Sequence, residues 1–180
     1  MPYAVLLYFD DDSGKPINEI WAKINSLGFS VNMDEAGIRP HITLAVYDQL
    51  TCQPCENRLA ELASHTHRIS LKMSYLGLFT EPEPVIFAAP IPTRELITFH
   101  QDVITALASD GNIPRDIHQP GVWIPHCTLA IGFEKNRLNE LIDLSLTLKF
   151  PFNIGAVKIG VVEYQPLKDL FSYDLTAGEN

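Results

Sequence analysis

Apolar positions along the chain fall into short runs and helical stripes. Residues 3–9 (YAVLLYF) are an unbroken apolar run closed by Asp10, Asp11 and Asp12, the pattern of a buried strand. Ile17, Ile20, Trp21, Ile24 and Leu27 then recur at helical spacing, and Gly28 supplies a stop. After a loop at 32–37, residues 41–47 (HITLAVY) read as a second strand. A short helix is predicted near 54–64 with Leu59, Leu62 and Ala63 inward, followed by a long alternating strand over 69–79. The run Glu81-Pro82-Glu83-Pro84 breaks the pattern. Beyond it come a strand at 85–91 and a helix capped by Thr93 that carries Leu96, Phe99, Val103, Ile104 and Leu107. A loop over 110–122 leads to a strand at 125–132, a helix at 134–144, and two closing strands at 152–164 and 170–175 joined by a turn at 165–169. Strands and helices mix without strict alternation, which predicts an α+β fold rather than a doubly wound parallel sheet.

One segment occurs twice. Residues 39–46 read RPHITLAV and residues 124–131 read IPHCTLAI, with five of eight positions identical. A shared Pro-His-x-Thr-Leu-Ala is too long to arise twice from composition, and the elements around it repeat as well: strand, helix, motif strand, helix, long strand. The expectation is one bilobed domain over 1–180, built from pseudo-repeats of about 1–80 and 81–180 whose lobes face each other.

Alternation along a strand puts His41 and Thr43 on one face and Ile42 and Leu44 on the other. His126 and Thr128 do the same, with Cys127 and Leu129 inward. Two such strands facing across a pseudo-two-fold axis would set two imidazoles and two hydroxyls around one cleft. That set suits in-line displacement at phosphorus. One neutral imidazole takes a proton from the attacking oxygen, and the other, protonated, gives one to the leaving oxygen. The hydroxyls donate to non-bridging oxygens, where charge collects. The scheme requires neither metal nor cofactor.

Composition narrows the partners. The 180 residues are 46% apolar and 19% charged, a folded composition. The net charge of −9 argues against an extended nucleic-acid surface, which needs a basic stripe, but not against a small phosphate ligand. No apolar run approaches transmembrane length, and the first apolar stretch lacks a basic flank, so a cytoplasmic protein without a signal peptide is expected. Three cysteines, an odd number, then read as reduced thiols.

His41-Ile42-Thr43-Leu44 and His126-Cys127-Thr128-Leu129 resemble the paired His-x-Thr/Ser-x motifs of the two-histidine (2H) phosphoesterase superfamily, in particular its 2′-5′ RNA ligase / RNA 2′,3′-cyclic phosphodiesterase (LigT-like) branch. The resemblance spans nearly the whole chain; residues 76–79, 85–91 and the helix holding His100 look like the family's middle, and the hairpin over 152–175 looks like its end. It implies two antiparallel sheets with flanking helices around a V-shaped cleft. It also implies metal-independent opening of 2′,3′-cyclic phosphates, or action on 2′-5′ linkages. His41 and His126 would be the acid and base, and Thr43 and Thr128 would bind phosphate. Trp123, three residues before the second histidine, corresponds to an aromatic that stacks on a base. Many RNA-directed members carry an arginine just after the second motif, where this chain has Ile131 and Gly132; Lys135 and Arg137 follow on the next helix. The implied substrate is a nucleotide, a short oligonucleotide or an RNA terminus, handled by a monomer without a membrane.

Other readings stay open. A nucleotide-binding module without turnover would keep the same cleft. Cys52-Gln53-Pro54-Cys55 opens a helix and resembles a thioredoxin-type pair, which would make the chain a thiol oxidoreductase. His65 and His67 would share a strand face but lack a third metal ligand. Arg39 is expected at the cleft rim as a phosphate contact, His118 in the loop before Trp123, and His100 on its helix's polar edge. Tyr8 and Tyr47 are expected to pack, and Asp10–Asp12 to form a solvated turn.

Overall fold

The computed structural model describes residues 2–29, 38–108, 112–164 and 167–178. The first half runs β1 (Tyr3–Phe9), α1 (Asp11–Ser26), β2 (His41–Tyr47), α2 (Cys52–His65) and β3 (Ile69–Phe79). The second runs β4 (Val85–Pro90), α3 (Arg94–Ala108), β5 (Cys127–Ile131), α4 (Leu138–Ser145) and β6 (Phe152–Glu163), and β7 (Lys168–Asp174) follows. The expected loop at 32–37 and the first residues of the closing turn lie outside the described residues. Among those described, no helix is long and apolar enough to cross a membrane.

Several boundaries shift by a few residues from the sequence expectation, and two differences change the reading of a helix. The three aspartates are not a solvated turn: Asp10 caps α1, accepting from the Ser13 N–H at 2.9 Å, and Asp11 and Asp12 form the first helical turn. There their charge meets the positive end of the helix dipole. The helix expected at 134–144 is split into a 3-10 turn at Lys135–Arg137 and α4 proper. At the far end of α1, Gly28 adopts φ +73°, the left-handed turn that ends a helix without a Cβ clash.

Among the described residues, the strands join one antiparallel seven-stranded sheet in the order β2-β1-β6-β3-β4-β5, with β7 paired to β6. The two sheets expected from the family resemblance are thus hydrogen-bonded into one, because β6 serves both. Its first residues pair with β3 (Ile69 opposite Ala156), and its later ones lie between β1 and β7. Numbered by place within each half, the order is second, first, third, third, first, second. The long third strand of the second half pairs with the first strand of the first half, and β3 pairs with β4, the first strand of the second.

The main core lies on the helical side of the sheet, where Val5, Leu7, Ile42, Leu44, Ile86, Leu129 and Ile159 meet Trp21, Leu59, Leu96 and Val103. Each such side chain contributes roughly 1.5–3 kcal/mol by leaving water. Two smaller clusters occupy the opposite face: Ala4, Leu6, Tyr8 and Val162 in one half, and Val85, Phe87 and Ala89 in the other. The sheet bends until its outer strands, β2 and β5, come into contact, with α1 against β5 and α3 against β2. That bend brings the two motifs together.

Candidate active site

Both motif strands carry the same irregularity at the same residue. Between β1 and β2 the register runs Val5–Ala45 and then Leu6–Thr43, so Leu44 is an extra residue. Between β4 and β5 it runs Ile86–Ala130 and then Phe87–Thr128, so Leu129 is extra. A bulge resets the alternation of faces. It lets consecutive Leu and Ala both turn into the core while Thr43 with Val46, and Thr128 with Ile131, stay half-buried on the opposite face. His41, opposite Tyr8, shares that face.

The imidazoles are held identically. His41 Nδ1–H donates to the Arg39 carbonyl at 2.7 Å, and His126 Nδ1–H donates to the Ile124 carbonyl at 2.7 Å. A carbonyl partner fixes each proton on Nδ1 and leaves Nε2 as the titrating atom. Among the described residues, neither the Thr43 nor the Thr128 hydroxyl is taken by a protein hydrogen bond, so both can donate to a ligand. Burial holds the His41 pKa down at about 4; the bond to the Arg39 carbonyl opposes the shift, and the nearby His126 adds to it. Burial lowers His126 too.

Two indoles lock the motifs across the halves. Trp21 Nε1–H on α1 donates to the Thr128 carbonyl at 3.0 Å, and Trp123 Nε1–H donates to the Thr43 carbonyl at 2.9 Å. Each bond supplies a donor to a part-buried carbonyl of an outer strand. The backbone of His41 also reaches the Cys127 thiol, which burial pushes up to about 12. An aromatic ring lies over a glycine on each side. A Cβ at Gly77 would run into the Phe87 ring, and one at Gly160 would come within 2.9 Å of Tyr8.

The other candidate residues are distributed as follows. The Arg39 guanidinium lies over the Tyr8 ring, 4.7 Å from its centre, beside the first motif. Trp123 is buried, with one face stacked on His100 at 4.0 Å. His100 is not on a polar edge: it is 1% exposed and donates from Nε2 to the His118 carbonyl at 3.1 Å. His118 is also buried, its Nδ1 unpaired, and burial with His126 close by drives its pKa down to about 4. Tyr8 and Tyr47 pack as expected. His65 ends α2, and His67 Nδ1 shares a hydrogen bond with Thr176 Oγ1 at 2.9 Å, so the two do not share a strand face. Cys52 is exposed and Cys55 buried in the first turn of α2. Arg137 leaves the site and braces Phe29 and Glu140. Sequence reading missed Trp21, whose indole bond has no local signal, and Tyr75, Phe79 and Phe87, which share the sheet face of His126.

The fold recurs in solved structures. E. coli LigT complexed with 3′-AMP is 17% identical over 98% of this chain and 99% of that one, with a TM-score of 0.63. The protein TT0787 of Thermus thermophilus is 14% identical over 99% and 100%, with a TM-score of 0.65. Usb1 of Kluyveromyces marxianus is 11% identical over 94% and 97%, with a TM-score of 0.52. A sequence comparison with curated proteins finds no match. Residues 9–165 match the model of the 2′-5′ RNA ligase superfamily, and the chain belongs to that family.

Proposed function

We propose that this chain is a two-histidine phosphoesterase that opens 2′,3′-cyclic phosphates of nucleotides or RNA ends, or cleaves 2′-5′ linkages. The reading is carried by one observation: two His-x-Thr motifs on contacting strands hold their imidazoles by the same Nδ1–H bond to the carbonyl two residues back. Family membership supports phosphoester chemistry. The nucleotides in E. coli LigT structures (3′-AMP, ATP and NADP+) support a ligand of that size.

In this mechanism water attacks phosphorus while the bond to one ribose oxygen breaks. His41 is the base. Its burial keeps Nε2 unprotonated, and it takes the proton of the attacking water. His126, less buried, is the acid and delivers its Nε2 proton to the departing ribose oxygen. The phosphate anion favours protonation of the second imidazole once substrate is bound. Thr43 and Thr128 donate to the non-bridging oxygens. Solvent exchange then restores both histidines. The pairing of acid and base is reversed for ligation, which uses the same groups.

The test is hydrolysis of the four nucleoside 2′,3′-cyclic phosphates in the presence of EDTA. Wild type is expected to turn over, and His126→Ala to lose roughly 10²–10⁴-fold in kcat. Failure of wild type on all four, or full activity in His126→Ala, overturns the proposal. A binding module without turnover would instead show tight product binding and no hydrolysis.

A further inference from the structure

The start of α2 is built unlike the start of α1. Asp10 caps α1, and two more aspartates fill its first turn. Thr51 gives α2 no side-chain cap, and no acidic residue follows in the first turn. Two cysteines stand there instead. Cys52 is exposed, and Cys55 is 0% exposed. The Cys55 N–H reaches the Thr51 carbonyl at 3.2 Å as the first rung of the helix, so the backbone between the two cysteines precedes the full ladder.

Three features bear on what the pair does. Residues three apart on a helix have Cβ atoms about 5–6 Å apart, and a disulfide draws them to about 3.5–4.5 Å. That small movement falls on the turn the helix holds least. Burial also separates the two sulfurs by access. An oxidant in solution meets Cys52 and not Cys55, nor Cys127, which is 0% exposed in β5. Finally, Tyr47 at the end of β2 has a buried hydroxyl with no hydrogen bond among the described residues, and a charge on the Cys55 sulfur reaches it. A buried donor without an acceptor costs stability. A Cys55 thiolate would supply the acceptor.

We propose that Cys52 and Cys55 form a reversible dithiol–disulfide pair that reacts with a hydroperoxide, with the Tyr47 hydroxyl donating to Cys55 as the disulfide closes. The Cys52 thiolate attacks one oxygen of the peroxide. The O–O bond breaks, leaving a sulfenic acid on Cys52 and releasing hydroxide, which takes up a proton. The Cys55 thiolate then attacks the Cys52 sulfur. The S–S bond forms, the S–O bond breaks, and the departing hydroxide takes up the proton that Cys55 gave up. Two thiols and one hydrogen peroxide give one disulfide and two waters, with two electrons passing from sulfur to oxygen. The reaction modifies the chain itself, and its test needs no phosphoester turnover.

In that test the reduced full chain, dilute, is treated with hydrogen peroxide and followed by intact mass and by thiol titration in denaturant. Wild type is expected to lose two hydrogens and two of its three thiols, to carry the disulfide within residues 52–55, and to recover all three thiols with dithiothreitol. Cys55→Ser should stop at the sulfenic acid, trapped by dimedone, and pass to the sulfinic acid with excess peroxide. Where Cys55→Ser does not fold, Cys55→Ala carries the same expectation. Tyr47→Phe removes only the unpaired hydroxyl, so it should fold, form the sulfenic acid at the wild-type rate and close the disulfide several-fold more slowly. Three thiols retained by wild type, a disulfide between two chains, or a link through Cys127 overturns the pair. Closure at the wild-type rate in Tyr47→Phe overturns the role given to its hydroxyl.

Discussion

Around His41 and around His126 the backbone repeats itself closely: a carbonyl two residues back holds Nδ1, a bulged leucine follows the threonine, and an indole from the other half holds the threonine carbonyl. The side chains packed on the two imidazoles do not repeat. Tyr8 meets His41 edge-on at 6.2 Å, and its hydroxyl points to Asp169 at 3.4 Å in a surround of ions. Phe79 and Phe87 close on His126 at 5.0 and 5.1 Å. Under the proposed mechanism, the devices that set proton positions and hydroxyl spacing occur in both halves because proton transfer needs two matched partners. Under the same mechanism the surfaces beside the two imidazoles face the two different ends of a substrate, which explains why they differ.

Four sets of substitutions test that division, beginning with the largest effect. Thr43→Val and Thr128→Val each remove one donor and are expected to lower kcat by roughly 10–10³-fold, each loss within about tenfold of the other. Steady-state kinetics of both variants decide this. A loss confined to one threonine would mean that the two halves share geometry but not work.

Acid stability comes next. The folded-state pKa of His41 is depressed to about 4, so the unfolded chain binds its proton first as pH falls below 6.5. Stability is therefore present above that value and lost down to about pH 4, by an amount on the order of 3 kcal/mol at full protonation. Urea unfolding at about pH 7 and about pH 4.5, either side of most of that window, should show a shallower pH dependence in His41→Asn than in wild type, and a smaller change in His126→Asn. The opposite order would contradict the deeper burial of His41.

Trp21→Phe and Trp123→Phe each delete an indole N–H while keeping an aromatic ring. Each is expected to cost about 1–3 kcal/mol of stability by leaving a part-buried carbonyl without its donor, and a few-fold in kcat at constant KM. Denaturant melts and kinetics of the pair check this, and a change in only one of them would show that the reciprocal bonds are not equivalent. The smallest effect belongs to Cys52→Ser with Cys55→Ser. No loss of cyclic-phosphate hydrolysis is expected, and a large loss would revive thiol chemistry at α2.

Much of this is legible in the chain itself. The duplicated His-x-Thr-Leu-Ala announces both motif strands, and its adjacent Leu and Ala carry the signal of a bulge, since both are apolar where alternation allows one. Counting imidazole as polar misplaces His100, although Leu96, His100, Val103 and Leu107 form one helical stripe. The start of α1 escapes the apolar period, which begins only at Ile17, well after the aspartate-capped first turn. The Trp21–Thr128 bond and the β1–β6 pairing join residues more than a hundred positions apart, and no local pattern encodes them.

That pairing also governs how the molecule is made. The sheet of the first half is incomplete until β6 arrives: β1 pairs with β2 on one side, but its other side waits for residues 156–163. During synthesis the first His-x-Thr strand therefore emerges long before the framework that aims it, and long-range pairing of this kind makes for slow folding. A chain cut in the Glu81–Pro84 region would yield two fragments, each holding a strand the other needs. Mixed together, they would have reason to reassemble, and the recovery of both imidazoles in one cleft would mark the moment the last strand seats.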